Sequence, residues 1–177
     1  MFRILVNDAN RNRRIAQDIV AAFSQGRKVI VLTERTAHIE LLRKAIGDRI
    51  EHCFVLHGRL SKKERNAALA SLVELDESAP RVLLATGRLI GEGFDHPPLD
   101  TLVLAMPISW RGTLQQYAGR LHRDHAGKQD VRIYDYIEHD HPLLARMWER
   151  RLRGYRAMGY QIQNSDDRSP AADCKAP

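Results

Sequence analysis

The stretch KVIVLT, residues 28–33, decides the fold class of this chain. It is apolar at almost every position, as expected of a strand that is buried on both faces of a sheet. Further strands are predicted at residues 52–57, 81–85, 101–105 and 131–136, with helical segments between them. Strands that alternate with helices predict the α/β class, in which a mostly parallel sheet is covered by helices on both faces.

Helices are predicted where apolar residues recur at helical spacing. One helix spans residues 12–23, and the next ends at Gly47. The third begins at a capping box, in which Ser61 precedes Glu64 by three positions. The last helix begins near Pro142.

The composition sets limits on the domain organisation and on the partners. The 177 residues are 44% hydrophobic, which suffices for one core, so residues 1–162 are predicted to form a single domain. Residues 163–177 are polar, with Pro, Asp and Ser, and predict a disordered tail. The net charge of +6 is compatible with a nucleic-acid partner, but ordinary solubility explains it equally well.

Metal sites and membrane insertion are not predicted. The two cysteines have neither metal-ligand nor disulfide spacing, which suits a reducing compartment. The histidines between residues 122 and 141 show no compact ligand spacing. No apolar run approaches the roughly 20 residues that span a bilayer. We therefore predict a cytoplasmic protein with no membrane partner.

The segment TLQQYAGRLHR, residues 113–123, predicts an amphipathic helix. At about 100° per residue, Leu114, Ala118 and Leu121 form an apolar stripe. The opposite stripe consists of Gln116, Gly119, Arg120 and Arg123. Two guanidinium groups one turn apart can bind phosphate oxygens, although two surface arginines alone would more often be a solvated face. A mid-helix glycine costs about 1 kcal/mol relative to alanine, which suggests a close approach at that position.

Polar and basic residues follow the predicted strands at their carboxyl ends, where parallel sheets bind ligands. These residues are Thr33, Arg35, His57, Gly58, Thr86, Gly87 and Arg88. A loop with three glycines follows residue 86 and leads to Asp95, whose carboxylate can accept hydrogen bonds from sugar hydroxyls. A turn-capping role for Asp95, just before two prolines, is the alternative.

The motifs in these segments resemble those of superfamily 2 helicases. Gln-x-x-Gly-Arg-x-x-Arg at residues 116–123 resembles motif VI, and residues 86–95 resemble motif V, although Gly87 stands where many members carry aspartate. Residues 29–35 are similar to motif IV. Order and spacing agree from about residue 28 to residue 137. The resemblance is to the C-terminal RecA-like domain of DEAD/DEAH-type helicases of the restriction-subunit-like group.

The resemblance implies a P-loop NTPase-like second helicase domain that has no P-loop of its own. Arg120 and Arg123 would reach the phosphates of ATP across a cleft, with Arg123 as the arginine finger. Gln116, Gly93 and Asp95 would bind the nucleotide, Asp95 at the ribose. The nucleic-acid backbone would be contacted by Thr33, Arg35, His57, Gly58, Thr86, Gly87 and Arg88, and DNA is favoured over RNA.

The sequence contains no Gly-x-x-x-x-Gly-Lys-Ser/Thr and no Asp-Glu-x-His/Asp tetrad. A phosphate cradle and a magnesium ligand are what phosphoryl transfer requires. We therefore expect ATP to be shared with an N-terminal helicase domain, in cis or in trans, which also supplies Mg²⁺, and we expect no hydrolysis by this chain alone. Two alternatives are a non-catalytic nucleic-acid-binding or regulatory remnant of a helicase, and a doubly wound transferase. The transferase lacks a credible nucleophile or acid/base pair.

A basic run on the last helix has two interpretations. It consists of Arg146, Arg150, Arg151, Arg153 and Arg156. Such a run is either a solvated face or a contact surface for nucleic acid or for a partner domain.

Overall fold

The computed structural model describes residues 2–87, 94–108, 114–123, 125, 127–139 and 141–164. Within these residues five strands form one sheet in which every pair of neighbours is parallel, in the order β2-β3-β1-β4-β5. The strands are β1 (Lys28–Thr33), β2 (Cys53–Leu56), β3 (Arg81–Thr86), β4 (Thr101–Leu104) and β5 (Arg132–Asp135). All five predicted strands are confirmed.

Six α-helices are present in the described residues. They are α1 (Phe2–Asn7), α2 (Ala9–Ser24), α3 (Thr36–Ile46), α4 (Lys62–Glu74), α5 (Gln115–Leu121) and α6 (Pro142–Ala157). Helix α4 begins at the predicted capping box, in which the Ser61 hydroxyl and the Glu64 carboxylate each accept from the other residue's backbone N–H. Helix α1 was not predicted, because six residues are too few to display a helical period. Its Leu5 and Val6 are buried against Met106 and Leu144.

The sheet lies between two helix layers, which confirms the predicted α/β class. Val29 and Val31 of the central strand face α2 and α3, where Ile19, Ile39 and Leu42 are fully buried. Ile30 and Leu32 face the opposite layer of α4, α5 and α6. Because successive strand residues enter different cores, the strand has no solvent face, and its residues from Val29 to Leu32 are all apolar.

The register of the strands aligns their carboxyl ends. Thr33 at the end of β1 pairs with Thr86 at the end of β3. Leu56 at the end of β2 pairs with Ala85, one position earlier in β3. The residues that leave β2, β3 and β1 therefore lie side by side at one edge of the sheet. This edge is where the sequence predicted the nucleic-acid contacts.

Helix α6 is fixed to the sheet by a buried ion pair. The side chain of Arg151 is 1% exposed, and its Nε and Nη2 donate to the two carboxylate oxygens of Asp135 at 2.6 and 3.0 Å. The Tyr155 hydroxyl donates to the same carboxylate at 2.9 Å. Arg151 therefore belongs to the core, and its assignment to a basic surface run was wrong. The exposed members of that run are Arg146, Arg150, Arg153 and Arg156.

The predicted tail, residues 163–177, lies outside the described residues except for Gln163 and Asn164, which are in neither a helix nor a strand. No described helix is long and apolar enough to cross a membrane.

Candidate nucleotide and nucleic-acid site

Helix α5 is amphipathic in the way that its sequence predicts. Leu114, just before it, and Ala118 and Leu121 within it are at most 2% exposed and pack into the core below. On the other side Gln116, Gly119 and Arg123 are exposed, and Arg120 is half-buried. Outside the neighbouring helix backbone, no described atom lies within 4 Å of the position that a Gly119 Cβ would take, so the close approach suggested for that glycine is not made by the described residues.

Arg120 of this helix and Arg123, two residues past its end, contact Phe94 and Asp95. Arg120 Nη1 donates to the backbone carbonyl of Phe94 at 2.7 Å. Arg123 Nη1 donates to Asp95 Oδ2 in an ion pair. The side chains of Arg123 and Asp95 remain 53% and 41% exposed. Residues assigned to two separate sequence motifs, 28 positions apart, thus form one accessible group of two guanidiniums and a carboxylate.

Tyr117 joins the same helix to the end of β3, and sequence reasoning missed this role. Its hydroxyl donates to the backbone carbonyl of Gly87. A Cβ on Gly87 would lie 3.0 Å from that hydroxyl, which leaves little room for a side chain. Burial raises the pKa of Tyr117, so the phenol stays protonated and keeps donating. The contact gives a physical reason for glycine at a position where the helicase resemblance leads one to expect aspartate.

The predicted nucleic-acid residues that are described lie at the carboxyl edge of β2, β3 and β1. Arg35 and Gly58 are exposed, whereas Thr33 and Thr86 are 2% and 9% exposed. The Nδ1 atom of His57 is buried without a hydrogen-bond partner among the described residues. Arg88, predicted for nucleic acid, and Gly93, predicted for the nucleotide, lie outside the described residues.

The sequence of this chain matches a known protein family. Residues 11–125 match the family model described as the helicase conserved C-terminal domain. The chain belongs to this family. A protein of Invertebrate iridescent virus 6 that is named as a helicase, 161L, is 30% identical to this helicase C-terminal domain over 171 residues. That match covers 89% of this chain and 36% of 161L.

Solved structures share the fold of this helicase C-terminal domain. The crystal structure of T4 UvsW matches it with a TM-score of 0.69 at 18% identity, covering 88% of this chain and 34% of UvsW. The structure of S. cerevisiae Dbp5 bound to RNA and ADP BeF3 matches with a TM-score of 0.51 at 16% identity, covering 71% of this chain and 32% of Dbp5. The predicted RecA-like fold and membership of superfamily 2 are confirmed, and the chain spans about a third of the length of these three relatives.

In this helicase C-terminal domain the end of β1 is held by a buried chain of polar groups. Asn12 Nδ2 donates to the carbonyl of Val6 at 2.8 Å, so Asn12 Oδ1 accepts from His38 Nε2 at 2.9 Å. His38 Nδ1 then carries no proton and accepts from the Thr33 hydroxyl at 2.9 Å. The hydroxyl proton of Thr33 is therefore used inside the domain.

Two histidines of this domain are neutral because they are enclosed. Burial, and then the charge of Arg11, lower the pKa of His38 to about 4. Burial, and then the charge of Arg81, lower the pKa of His96 to about 4. Arg81 is fully buried, and its Nη1 lies 3.2 Å from His96 Nε2, which must accept because a guanidinium only donates. This hydrogen bond fixes the residue that directly follows Asp95.

Two of the histidines between residues 122 and 141 have partners in this domain. His122 Nε2 lies 2.7 Å from the Tyr160 hydroxyl, and His125 Nε2 lies 3.2 Å from Glu77 Oε2. Among the described residues no group of three His, Cys, Asp or Glu side chains is placed to hold a metal ion.

Proposed function

We propose that this chain is the second motor domain of an ATP-dependent superfamily 2 helicase or translocase. Its motif V and motif VI side chains would complete a nucleotide site, and its strand ends would bind a nucleic-acid backbone. The main support is the accessible pairing of Arg123 with Asp95. An ion pair exposed to this extent contributes about 0–1 kcal/mol to stability. Arg123 and Asp95 can therefore separate at little cost, and each can bind a ligand instead.

ATP carries groups that suit both members of this ion pair. Arg123 would exchange the Asp95 carboxylate for a phosphate oxygen, to which its planar guanidinium presents two parallel donors. Asp95, once released, would accept hydrogen bonds from ribose hydroxyls. Arg120 would remain anchored to the Phe94 carbonyl and add a second positive charge. Gln116, exposed on the same stripe, would contact the nucleotide or the partner domain.

The remaining parts of the ATP site would come from a partner. The sequence has neither the glycine-rich phosphate cradle nor the acidic magnesium ligand of an ATPase. We infer that an N-terminal helicase domain, in cis or in trans, supplies the cradle and holds Mg²⁺. Turnover therefore belongs to the pair of domains, and this chain alone hydrolyses no ATP.

Nucleic acid would lie along the carboxyl edge of β2, β3 and β1. The groups that would contact it are the exposed Arg35 guanidinium and the backbone N–H groups of Gly58 and Gly87, beside Thr86. All of these suit phosphates rather than bases, so binding should be salt-dependent and nearly independent of sequence. DNA is the proposed polymer, and a ribo-oligonucleotide of equal length tests this choice.

Arg35→Ala should weaken the binding of labelled oligothymidylate to the purified chain, measured by fluorescence anisotropy over a series of salt concentrations. Loss of one phosphate contact should make the dependence of log K on log salt less steep by about 1. Arg43→Ala is the matched control, because Arg43 is exposed near the end of α3, which runs back toward the amino ends of the strands. Equal losses in the two variants, or binding that ignores salt, would place the contact elsewhere.

A further inference from the structure

Helix α5 holds both flanks of the segment that runs from residue 88 to residue 93. Before the segment, the Tyr117 hydroxyl donates to the carbonyl of Gly87. After it, Arg120 donates to the carbonyl of Phe94, and Arg123 pairs with Asp95. Tyr117 and Arg120 lie in α5 and Arg123 lies two residues past its end, so three side chains spaced three residues apart make all three contacts.

The first of these contacts touches the nucleic-acid side of the proposed site. Gly87 directly follows Thr86, the last residue of β3. Both lie at the carboxyl edge of β2, β3 and β1 that is proposed to bind nucleic acid, here called the track. The other two contacts involve the arginines proposed for ATP. Tyr117 therefore links the β3 end of the track to α5, which carries Arg120 and is followed by Arg123.

The surroundings of the Tyr117 contact favour the transmission of small displacements from the end of β3 to α5. The side chain of Tyr117 is 4% exposed and packed in the core, so its ring has little freedom to follow a moving partner. With no side chain, Gly87 lets the hydroxyl approach to 3.0 Å from its Cβ position, and the backbone carbonyl itself is the acceptor. A shift of the β3 end therefore changes a hydrogen bond that is anchored rigidly in α5.

We propose that Tyr117 is a positioning residue that couples nucleic-acid binding at Thr86 and Gly87 to the placement of Arg120 and Arg123. This inference rests on the proposed function. A phosphate bound at the end of β3 displaces the Gly87 carbonyl, Tyr117 carries the displacement into α5, and Arg123 changes its position relative to Asp95. Tyr117 touches neither ligand and acts through the helix.

The test is NMR of the isolated chain, in which backbone amides and arginine Nε–H groups are observed while oligothymidylate is added. In the wild type the amides of Thr86 and Gly87 and the Nε–H signals of Arg120 and Arg123 should all shift. Tyr117→Phe keeps the buried ring and removes only the hydroxyl. In this variant the strand-end amides should still shift, and the response of the two arginines should be lost.

Tyr160→Phe is the matched control. It also removes a tyrosine hydroxyl next to α5, but that hydroxyl contacts His122 and no strand end, so the arginine response should persist. Gly87→Ala is a second variant, because a methyl group 3.0 Å from the hydroxyl would displace it, and the arginine response should again be lost. Thermal melting verifies that each variant is folded.

The outcomes separate this inference from the proposed function. If the strand-end amides shift and the arginines respond in Tyr117→Phe as in the wild type, the coupling through Tyr117 is refuted and the track stands. If oligothymidylate shifts neither Thr86 nor Gly87 in the wild type, the track itself is refuted, and the coupling with it.

Discussion

Arg123→Lys should lower ATP turnover by on the order of 10³-fold once this domain is combined with a Walker-A-bearing N-terminal helicase domain. Lysine keeps the charge but loses the planar fork that binds two phosphate oxygens at once. Affinity for nucleic acid should change little, because Arg123 lies just past the end of α5, beside Asp95 and not at the strand ends. The measurement is steady-state ATP hydrolysis by the two-domain protein, with oligothymidylate binding measured in parallel.

His122→Ala is the control for this substitution. His122 is the neighbour of Arg123 in sequence, is exposed, and contacts Tyr160 rather than the Asp95 segment. Its replacement should leave turnover near the wild-type rate. If Arg123→Lys is folded by thermal melting and hydrolyses ATP as fast as the wild type, the assignment of an arginine finger fails.

Acidification should destabilise the domain through its enclosed histidines. The pKa of His38 is about 4 in the folded protein and 6.5 in the unfolded chain. As pH falls the unfolded chain binds the proton first, so the stability from neutral His38 is complete above about pH 6.5 and is lost toward pH 4. For His38, which is fully buried, the loss should reach about 2–3 kcal/mol. His96 adds a smaller loss over the same range, because it is only partly buried.

Urea unfolding of the wild type and of His38→Gln at a series of pH values tests this expectation. Glutamine does not titrate, so the variant should be less stable at neutral pH but should lose less stability on acidification. Each protein's own stability at pH 8 serves as its reference. A variant whose stability falls as steeply as that of the wild type would show that His38 does not carry the effect.

The features that the sequence predicts well are those with a pattern among residues that are close together in the chain. Residues 29–32 are all apolar because both faces of β1 are buried, and Ser61 with Glu64 three positions later marks the start of α4. Helix α1 fails this condition, since its six residues complete less than two turns. The apolar stripe on α5 was also predictable from a local pattern, because its residues recur at helical spacing.

Residues of the candidate site could be predicted only where they belong to a motif with fixed spacing. Arg123 and Asp95 were both assigned to the nucleotide because they match motifs VI and V, but their ion pair was not predicted. The hydrogen bond from Tyr117 to Gly87 spans 30 residues, and the one between Asn12 and His38 spans 26, without any local pattern. Arg151 looks like its surface neighbours in sequence, and only the packing of α6 against β5 brings it to Asp135.

We propose that this chain supplies half of an ATPase. The most direct test is to measure ATP hydrolysis by the purified chain alone and by the chain combined with a Walker-A-bearing helicase domain. The chain alone should show no turnover above background, with or without DNA. The combination should hydrolyse ATP, and DNA should stimulate it. Turnover by the isolated chain that persists through purification and disappears in Arg123→Ala would contradict the claim.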